Sequence, residues 1–238
     1  MQDVVVGYLH GDHVTQEFHH CLFRSWVHDL WGPHRILDFA PQYSSSNLCR
    51  SRNQMVLDML DHETAEWLWM LDTDATFQPD MLDQLLTVAD PTDRPIIGAL
   101  CHQVRGKLDS DGNAVIDRHY SQVREVIPTI YQMIETDGVI TGYRESTSYG
   151  TGLLEVDATG CHCLLVHRTV FEKIESDHPY RWFREDLIGP GVIAGEDIWF
   201  CLQARQHGFP VYVDTRLESG HVKRFVTTSD MSTVERTA

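Results

Sequence analysis

The sequence predicts an α/β fold built on a largely parallel sheet. Three observations lead there. Short, wholly apolar runs of strand length recur along the chain, stretches of helical period separate them, and Gly, Pro, Ser and Asn punctuate the joins. Runs such as Trp67–Leu71 and Ile96–Leu100 lack polar alternation, as strands buried on both faces do. With 238 residues, 42% hydrophobic and 23% charged, the chain is long enough to bury its core as one domain.

The first strand is Val4–Leu9, ending in His10-Gly11-Asp12-His13. Val14, Phe18, Cys21, Leu22, Trp26 and Leu30 then recur at helical spacing and predict an inward stripe, which Gly32-Pro33 breaks. A second strand covers Arg35–Ala40. Ser44-Ser45-Ser46-Asn47 supplies N-cap side chains, and the helix behind it turns Leu48, Met55, Val56, Met59 and Leu60 inward. Trp67–Leu71 is the third strand. Pro79 opens the next helix, where a missing N–H is tolerated, with Met81, Leu82, Leu85 and Leu86 as its buried face. Ile96–Leu100 is the fourth strand.

Residues 102–152 read as an insertion over the crevice of the sheet. They hold a hairpin signal at Asp111-Gly112, a mixed β-branched and polar run over Val123–Met133, and glycines at 142, 150 and 152. Strands return at Leu153–Asp157 and Cys163–His167, followed by a helix over Thr169–Ile174. The Gly189-Pro190-Gly191 loop leads to a helix from Glu196 that ends at Gly208, a left-handed cap. Val211–Val213 is the last strand, and Glu218–Lys223 follows it. The final residues are polar.

A net charge of −16 and a sequence pI near 5.1 argue against nucleic acid, which needs a basic face, and against an anionic membrane surface. Asp3 interrupts the first residues, Val4-Val5-Val6 is too short for a signal peptide, and no run reaches membrane-spanning length, so neither is expected. The six cysteines are scattered at 21, 49, 101, 161, 163 and 201. Cys161 and Cys163, two apart in a strand, would point the same way without bridging. The Cys-His-Cys run has no second half for a zinc site. Buried free thiols and a reducing cytoplasm are the expectation.

The chemistry concentrates where Trp67–Leu71 runs into Asp72-Thr73-Asp74. Ligand crevices in open α/β sheets lie beyond the carboxyl ends of strands. One acid there caps a turn, but two at i, i+2 repel unless a cation lies between them, and hard carboxylate oxygens suit a divalent ion. Glu196-Asp197 opens a helix. The macrodipole alone favours acids there, and a general base placed near the crevice would sit there equally well. His221 follows the last strand and would join Asp74 in a mixed oxygen/nitrogen site suited to Mn²⁺. Arg50 and Arg52, with Asn53, open a helix whose N-terminus disfavours cations. They therefore point to an anion or to the Asp pair.

These segments occur in order: the Arg52-Asn53 helix, the apolar strand into Asp72-Thr73-Asp74, Gly160-Cys161-His162-Cys163-Leu164-Leu165, Gly195-Glu196-Asp197, His207-Gly208-Phe209 and His221. Together they resemble a GT-A-fold, family-two-like glycosyltransferase over residues 3–223. The resemblance implies a Rossmann-like, mostly parallel mixed sheet flanked by helices. It implies a hexosyltransferase-like enzyme with Mn²⁺ or Mg²⁺, a nucleotide-diphosphate sugar as donor, and a protein, glycan or lipid-linked acceptor. Carried onto this chain, Asp72 with Thr73 contacts the nucleotide and the metal shell, and Asp74 and His221 ligate the metal. Asp197 is the base, Glu196 positions base or acceptor, and Arg52 steadies Asp72 or the diphosphate. Tyr8, Leu9 and His10 cradle the nucleotide, although the first strand ends in Leu9-His10-Gly11 where the family often has Pro. The implied division is 1–101 for the donor, 102–152 toward the acceptor, 153–224 for catalysis, and a tail at 225–238.

Two other readings stay open. Asp72-Thr73-Asp74-Ala75-Thr76 also matches the nucleophile motif of haloacid-dehalogenase-like phosphatases, with Asp72 as nucleophile, Asp74 as acid/base, and Lys173 and Glu196-Asp197 in the place of the later motifs. A non-catalytic nucleotide- or carbohydrate-binding protein could use the same sheet.

Overall fold

A computed structural model describes residues 2–44, 47–107, 109–111, 113–116, 124–146, 149–177 and 181–223. Ser45, Ser46, Gly112, Val123 and the tail at 225–238 lie outside the described residues.

The elements run in the order β1 (Val4–His10), α1 (Gln16–Leu30), β2 (Ile36–Tyr43), α2 (Leu48–Asp61), β3 (Trp67–Asp72), β4 (Ala75–Thr76), α3 (Met81–Val88) and β5 (Ile96–Gly106). Then come β6 (Arg124–Pro128), β7 (Ile130–Thr136), β8 (Val139–Glu145), β9 (Leu153–Val156), β10 (Ala158–Thr159), β11 (Cys163–His167) and α4 (Arg168–Asp177). The chain finishes with β12 (Asp186–Gly189), β13 (Val192–Ala194), α5 (Glu196–Gln206) and β14 (Val211–His221).

The main sheet has the strand order β2-β1-β3-β11-β5-β14-β4. β2, β1, β3, β5 and β14 run in one direction, and β11 enters between β3 and β5 the opposite way. Successive side chains serve opposite faces. Leu68 and Met70 join the core under α2, α4 and α5, while Trp67, Trp69 and Leu71 join the core under α1 and α3. Both faces are covered, so the strand sequences are unbrokenly apolar. The same parity sends Asp72 to the α2 and α5 face.

Several local expectations change. Val14 lies outside α1, whose N-cap is Thr15, and Trp26 and Leu30 are exposed; Phe18 is buried as expected, with Cys21 and Leu22 packed on the same core, but Ser25 and Asp29 are buried as well. Hydrogen bonding decides this. Ser25 donates to the Pro79 carbonyl, and the Asp29 carboxylate accepts the backbone N–H groups of Arg35 and Ile36 at 2.8 and 3.0 Å. Asp29→Ala leaves those buried donors unpaired and is expected to cost about 1–3 kcal/mol in urea unfolding, with Asp29→Asn recovering part of it. Pro79 precedes the N-cap Asp80 of α3 rather than occupying the first helical position. Cys161 sits before β11, not in it, so Cys161 and Cys163 fall in opposite cores.

Gly189-Pro190-Gly191 is not an open loop but the turn of the β12–β13 hairpin, with Gly191 at φ 74°. A Cβ at Gly189 would overlap the Ile140 carbonyl, so only glycine lets this hairpin approach β8 so closely. Val211–Val213 and Glu218–His221 are one strand, broken in register between Asp214 and Glu218. α5 ends as the sequence predicts, with Gly208 at φ 86° and Phe209 N–H bonded to the Ala204 carbonyl. No described helix is long and apolar enough to cross a membrane.

Residues 102–152 extend β5 and build a hairpin layer beside it. β6 pairs with β5 from His102 to Gly106, and β7 pairs with β8 and with the short β10. Gln103, Thr129 and Tyr131 from these strands reach the wall of the crevice described next.

Candidate active site

A crevice of about 410 Å³ opens beyond the carboxyl ends of β1 and β3. Leu9, His10, Arg52, Asp72, Thr73, Asp74, Glu196, Asp197 and His221 all line it. Tyr8 does not. Its position on β1 turns it to the other face, where its ring packs 5.5 Å from Phe18 of α1, so it is not a crevice residue.

Backbone hydrogen bonds hold the Asp-x-Asp turn on three sides. Asp72 N–H donates to the His162 carbonyl, Val222 N–H donates to the Asp74 carbonyl, and Thr15 donates through both its N–H and its Oγ1 to the Thr73 carbonyl. The first contact fastens the turn to the start of β11, the second to the end of β14. The pairing of β14 with β4, Gly220 to Thr76 and His221 to Ala75, delivers His221 beside Asp74.

The electrostatics divide the crevice in two. On one side Arg52, only 5% exposed, donates through Nη2 to Asp72 Oδ1 and through Nε to Glu196 Oε1, both at 3.2 Å. Its Nη1 has no hydrogen-bond partner among the described residues. Arg52 therefore bridges the two acidic motifs and offsets the charge of both, which explains a cation in the first turn of α2. Asp197, beside it, has Oδ1 bonded only to the next backbone N–H, of Ile198 at 2.7 Å. Burial, reinforced by the charge of Glu196, pushes the Asp197 carboxyl up to about 6 despite Arg52. A carboxylate of that basicity is suited to taking a proton near neutral pH.

On the other side the Asp pair faces two imidazoles. Asp74 Oδ2 lies 2.9 Å from His221 Nε2 and 3.1 Å from Lys223 Nζ. Burial opposes its ionisation, but those hydrogen bonds and charges hold its carboxyl down at about 2. His162 Nδ1 lies 3.4 Å from Asp72 Oδ2 and 3.8 Å from Asp74 Oδ1, and the two rings are 4.4 Å apart. Burial disfavours charge on both rings, yet their acidic neighbours raise His162 to about 10 and His221 to about 9. The pocket thus demands positive charge between its carboxylates. Among the described residues two ligand groupings are within metal-binding reach: Asp72, Asp74 and His162, and Cys101, His162 and His221.

His162 and Cys101 are the residues that sequence reasoning missed. His162 groups with Cys101 of β5 and His221 of β14, far away in sequence, while Cys161 and Cys163 belong to neither grouping. The thiol expectation agrees with the structure: all six cysteines are free, and Cys101, Cys161, Cys163 and Cys201 are buried. Lys173, which the phosphatase reading needs beside Asp72, is exposed on α4 and does not line the crevice.

No family model matches the chain, and no curated protein sequence does. Solved structures do match. A197 from STIV superposes with a TM-score of 0.52 at 13% identity, over 93% of this chain and 86% of that one. GalNAc-T7, solved with UDP, GalNAc and Mn²⁺, superposes with a TM-score of 0.53 at 12% identity, over 94% of this chain. This chain spans 43% of the GalNAc-T7 chain. At such identity the likeness speaks for architecture: a single-domain, GT-A-like α/β fold with a mostly parallel sheet flanked by helices.

Proposed function

We propose that this protein is a metal-dependent glycosyltransferase that moves a sugar from a nucleotide-diphosphate donor to an acceptor hydroxyl. One observation carries the reading: a single crevice at the strand ends joins Asp72, Asp74 and His221, a cation-demanding cluster, to Asp197, a carboxylate of raised basicity. The GT-A-like fold and the UDP and Mn²⁺ held by GalNAc-T7 agree with it.

The residues present fit a divalent ion. The donor set is hard carboxylate oxygen plus imidazole, and one buried imidazole nitrogen facing the carboxylates has no hydrogen-bond partner among the described residues. Asp72, Asp74 and His221 would hold the ion. When bound, it supplies charge neutralisation for the diphosphate leaving group.

The chain's own groups do the rest. Arg52 keeps Asp72 and Glu196 in place and adds positive charge on the diphosphate side. Leu9, His10 and Thr73 form the wall against the nucleotide. Glu196, held by Arg52, positions the base or the acceptor, and Asp197 accepts the proton of the acceptor hydroxyl as it attacks. Attack from the face opposite the diphosphate inverts the anomeric centre. The acceptor enters along Gln103, Thr129 and Tyr131. Free buried thiols fit a reducing, cytoplasmic setting.

The test is a thermal-shift screen of UDP-, GDP- and dTDP-sugars, each with Mn²⁺ and with EDTA. A donor at a hundred times its Kd adds about 2.7 kcal/mol of stability. In a domain of this size that raises Tm by about 5–10 °C. The expected result is a shift with one nucleotide class that EDTA abolishes. No shift with any donor at millimolar concentration overturns the reading.

A further inference from the structure

We propose that His162 is itself a metal ligand, so that the ion sits in a centre of two carboxylates and two imidazoles rather than one imidazole. The inference rests on the metal reading above and deepens it. Its basis is the hydrogen bonding of the two rings.

A carbonyl oxygen can only accept, so a ring nitrogen bonded to one must carry the proton. His162 Nε2 lies 3.1 Å from the Gly220 carbonyl, and His221 Nδ1 lies 3.0 Å from the His102 carbonyl. Each ring would keep that proton on binding a metal and offer its other nitrogen, His162 Nδ1 or His221 Nε2, once the second proton is displaced. Those two atoms face Asp72 and Asp74. Donation of the second N–H to a backbone carbonyl is the usual orienting contact of a metal-bound histidine.

His162 differs from His221 in one decisive respect. Its side chain is 5% exposed, and Nδ1 is a buried polar atom with no hydrogen-bond partner among the described residues, although two carboxylate oxygens lie within 4 Å. Two carboxylates around one buried ring nitrogen demand a cation there, and a divalent ion can take that place by displacing the ring proton. The segment that carries it is held in place, because the His162 carbonyl accepts the Asp72 N–H. The ring is therefore fixed to the same turn as the acids.

The consequence is selectivity. Two imidazoles favour Mn²⁺, Co²⁺ or Zn²⁺ over Mg²⁺ and Ca²⁺, which prefer all-oxygen sites. Cys101, within reach of both rings, strengthens that bias with a soft donor at the back of the site.

The measurement is Mn²⁺ binding to the full chain without nucleotide, followed by electron paramagnetic resonance, with pulsed experiments to count coupled ¹⁴N nuclei. Wild type is expected to show two directly coupled imidazole nitrogens. His162→Gln, whose amide can still donate to Gly220, is expected to show one and to bind Mn²⁺ about tenfold or more weakly. Mg²⁺ is expected to compete poorly in wild type and better in the variant. One nitrogen in wild type, with affinity unchanged in His162→Gln, overturns this inference while leaving the metal reading intact. No Mn²⁺ binding by wild type overturns both. The wild-type nitrogen count needs no variant, so misfolding of His162→Gln does not shield the proposal.

Discussion

Asp197→Asn is expected to retain donor affinity and lose turnover, by about 10²–10⁴-fold, the usual share of a general base. The substitution is nearly isosteric, and the side-chain oxygen can still accept from Ile198 N–H, so the start of α5 keeps its geometry. Removing a buried carboxylate beside Glu196 also relieves repulsion. Stability should therefore hold or rise while activity falls. The pH dependence makes the assignment specific. A base must be ionised to act, and this carboxyl is pushed up to about 6. Wild-type kcat/KM should rise with pH through about 6 and level off above it, and Asp197→Asn should lack that limb. Donor binding by calorimetry, together with a pH–rate profile of both proteins, checks this. Normal turnover in Asp197→Asn moves the base elsewhere, with Glu196 the next residue to replace.

Asp74→Ala is expected to abolish the metal-dependent part of donor binding. Asp74 is held down at about 2 by His221 and Lys223, so it is ionised at neutral pH. Its loss removes a hard oxygen from the centre and leaves His221 Nε2 without its carboxylate partner. The EDTA melting temperature should change little, because Asp74 is one-third exposed and its ion pairs are weak in water. The Mn²⁺-dependent increment should vanish. A variant that keeps that increment shows that the ion is held without Asp74, and the metal assignment then fails.

The two substitutions probe different halves of one crevice, and Arg52 joins them. It pairs with Asp72 on the proposed metal side and with Glu196 on the proposed base side. Effects at Asp74 and Asp197 are therefore expected to be separable in binding and coupled in turnover, which a double-mutant cycle reads directly.

Local sequence determined a good deal here. Runs buried on both faces must be strands between two helical layers, so Val4–Leu9, Trp67–Leu71 and Ile96–Leu100 were legible from composition alone. A carboxylate pair directly after such a strand must lie at a crevice, and acids after Gly195 must open a helix. The same reasoning missed part of the inner face of α1. Ser25 and Asp29 are buried by hydrogen bonds to Pro79, Arg35 and Ile36, and no hydrophobic period encodes those partners.

Tertiary structure alone decided the ligand cluster. His162 meets the Gly220 carbonyl across 58 residues of sequence, and His221 meets Asp74 across 147. Those meetings follow from sheet order: β11 enters antiparallel between β3 and β5, and β14 lies beyond β5 and pairs with β4. Local propensity fixes where strands are, but the long connections fix which edges they join, and nothing in a short window of sequence records that choice. Asp72 and Asp74 could be found as a pair because two residues of one strand end share one turn. His162 could not, because its proposed role exists only once three distant strand ends have been brought together.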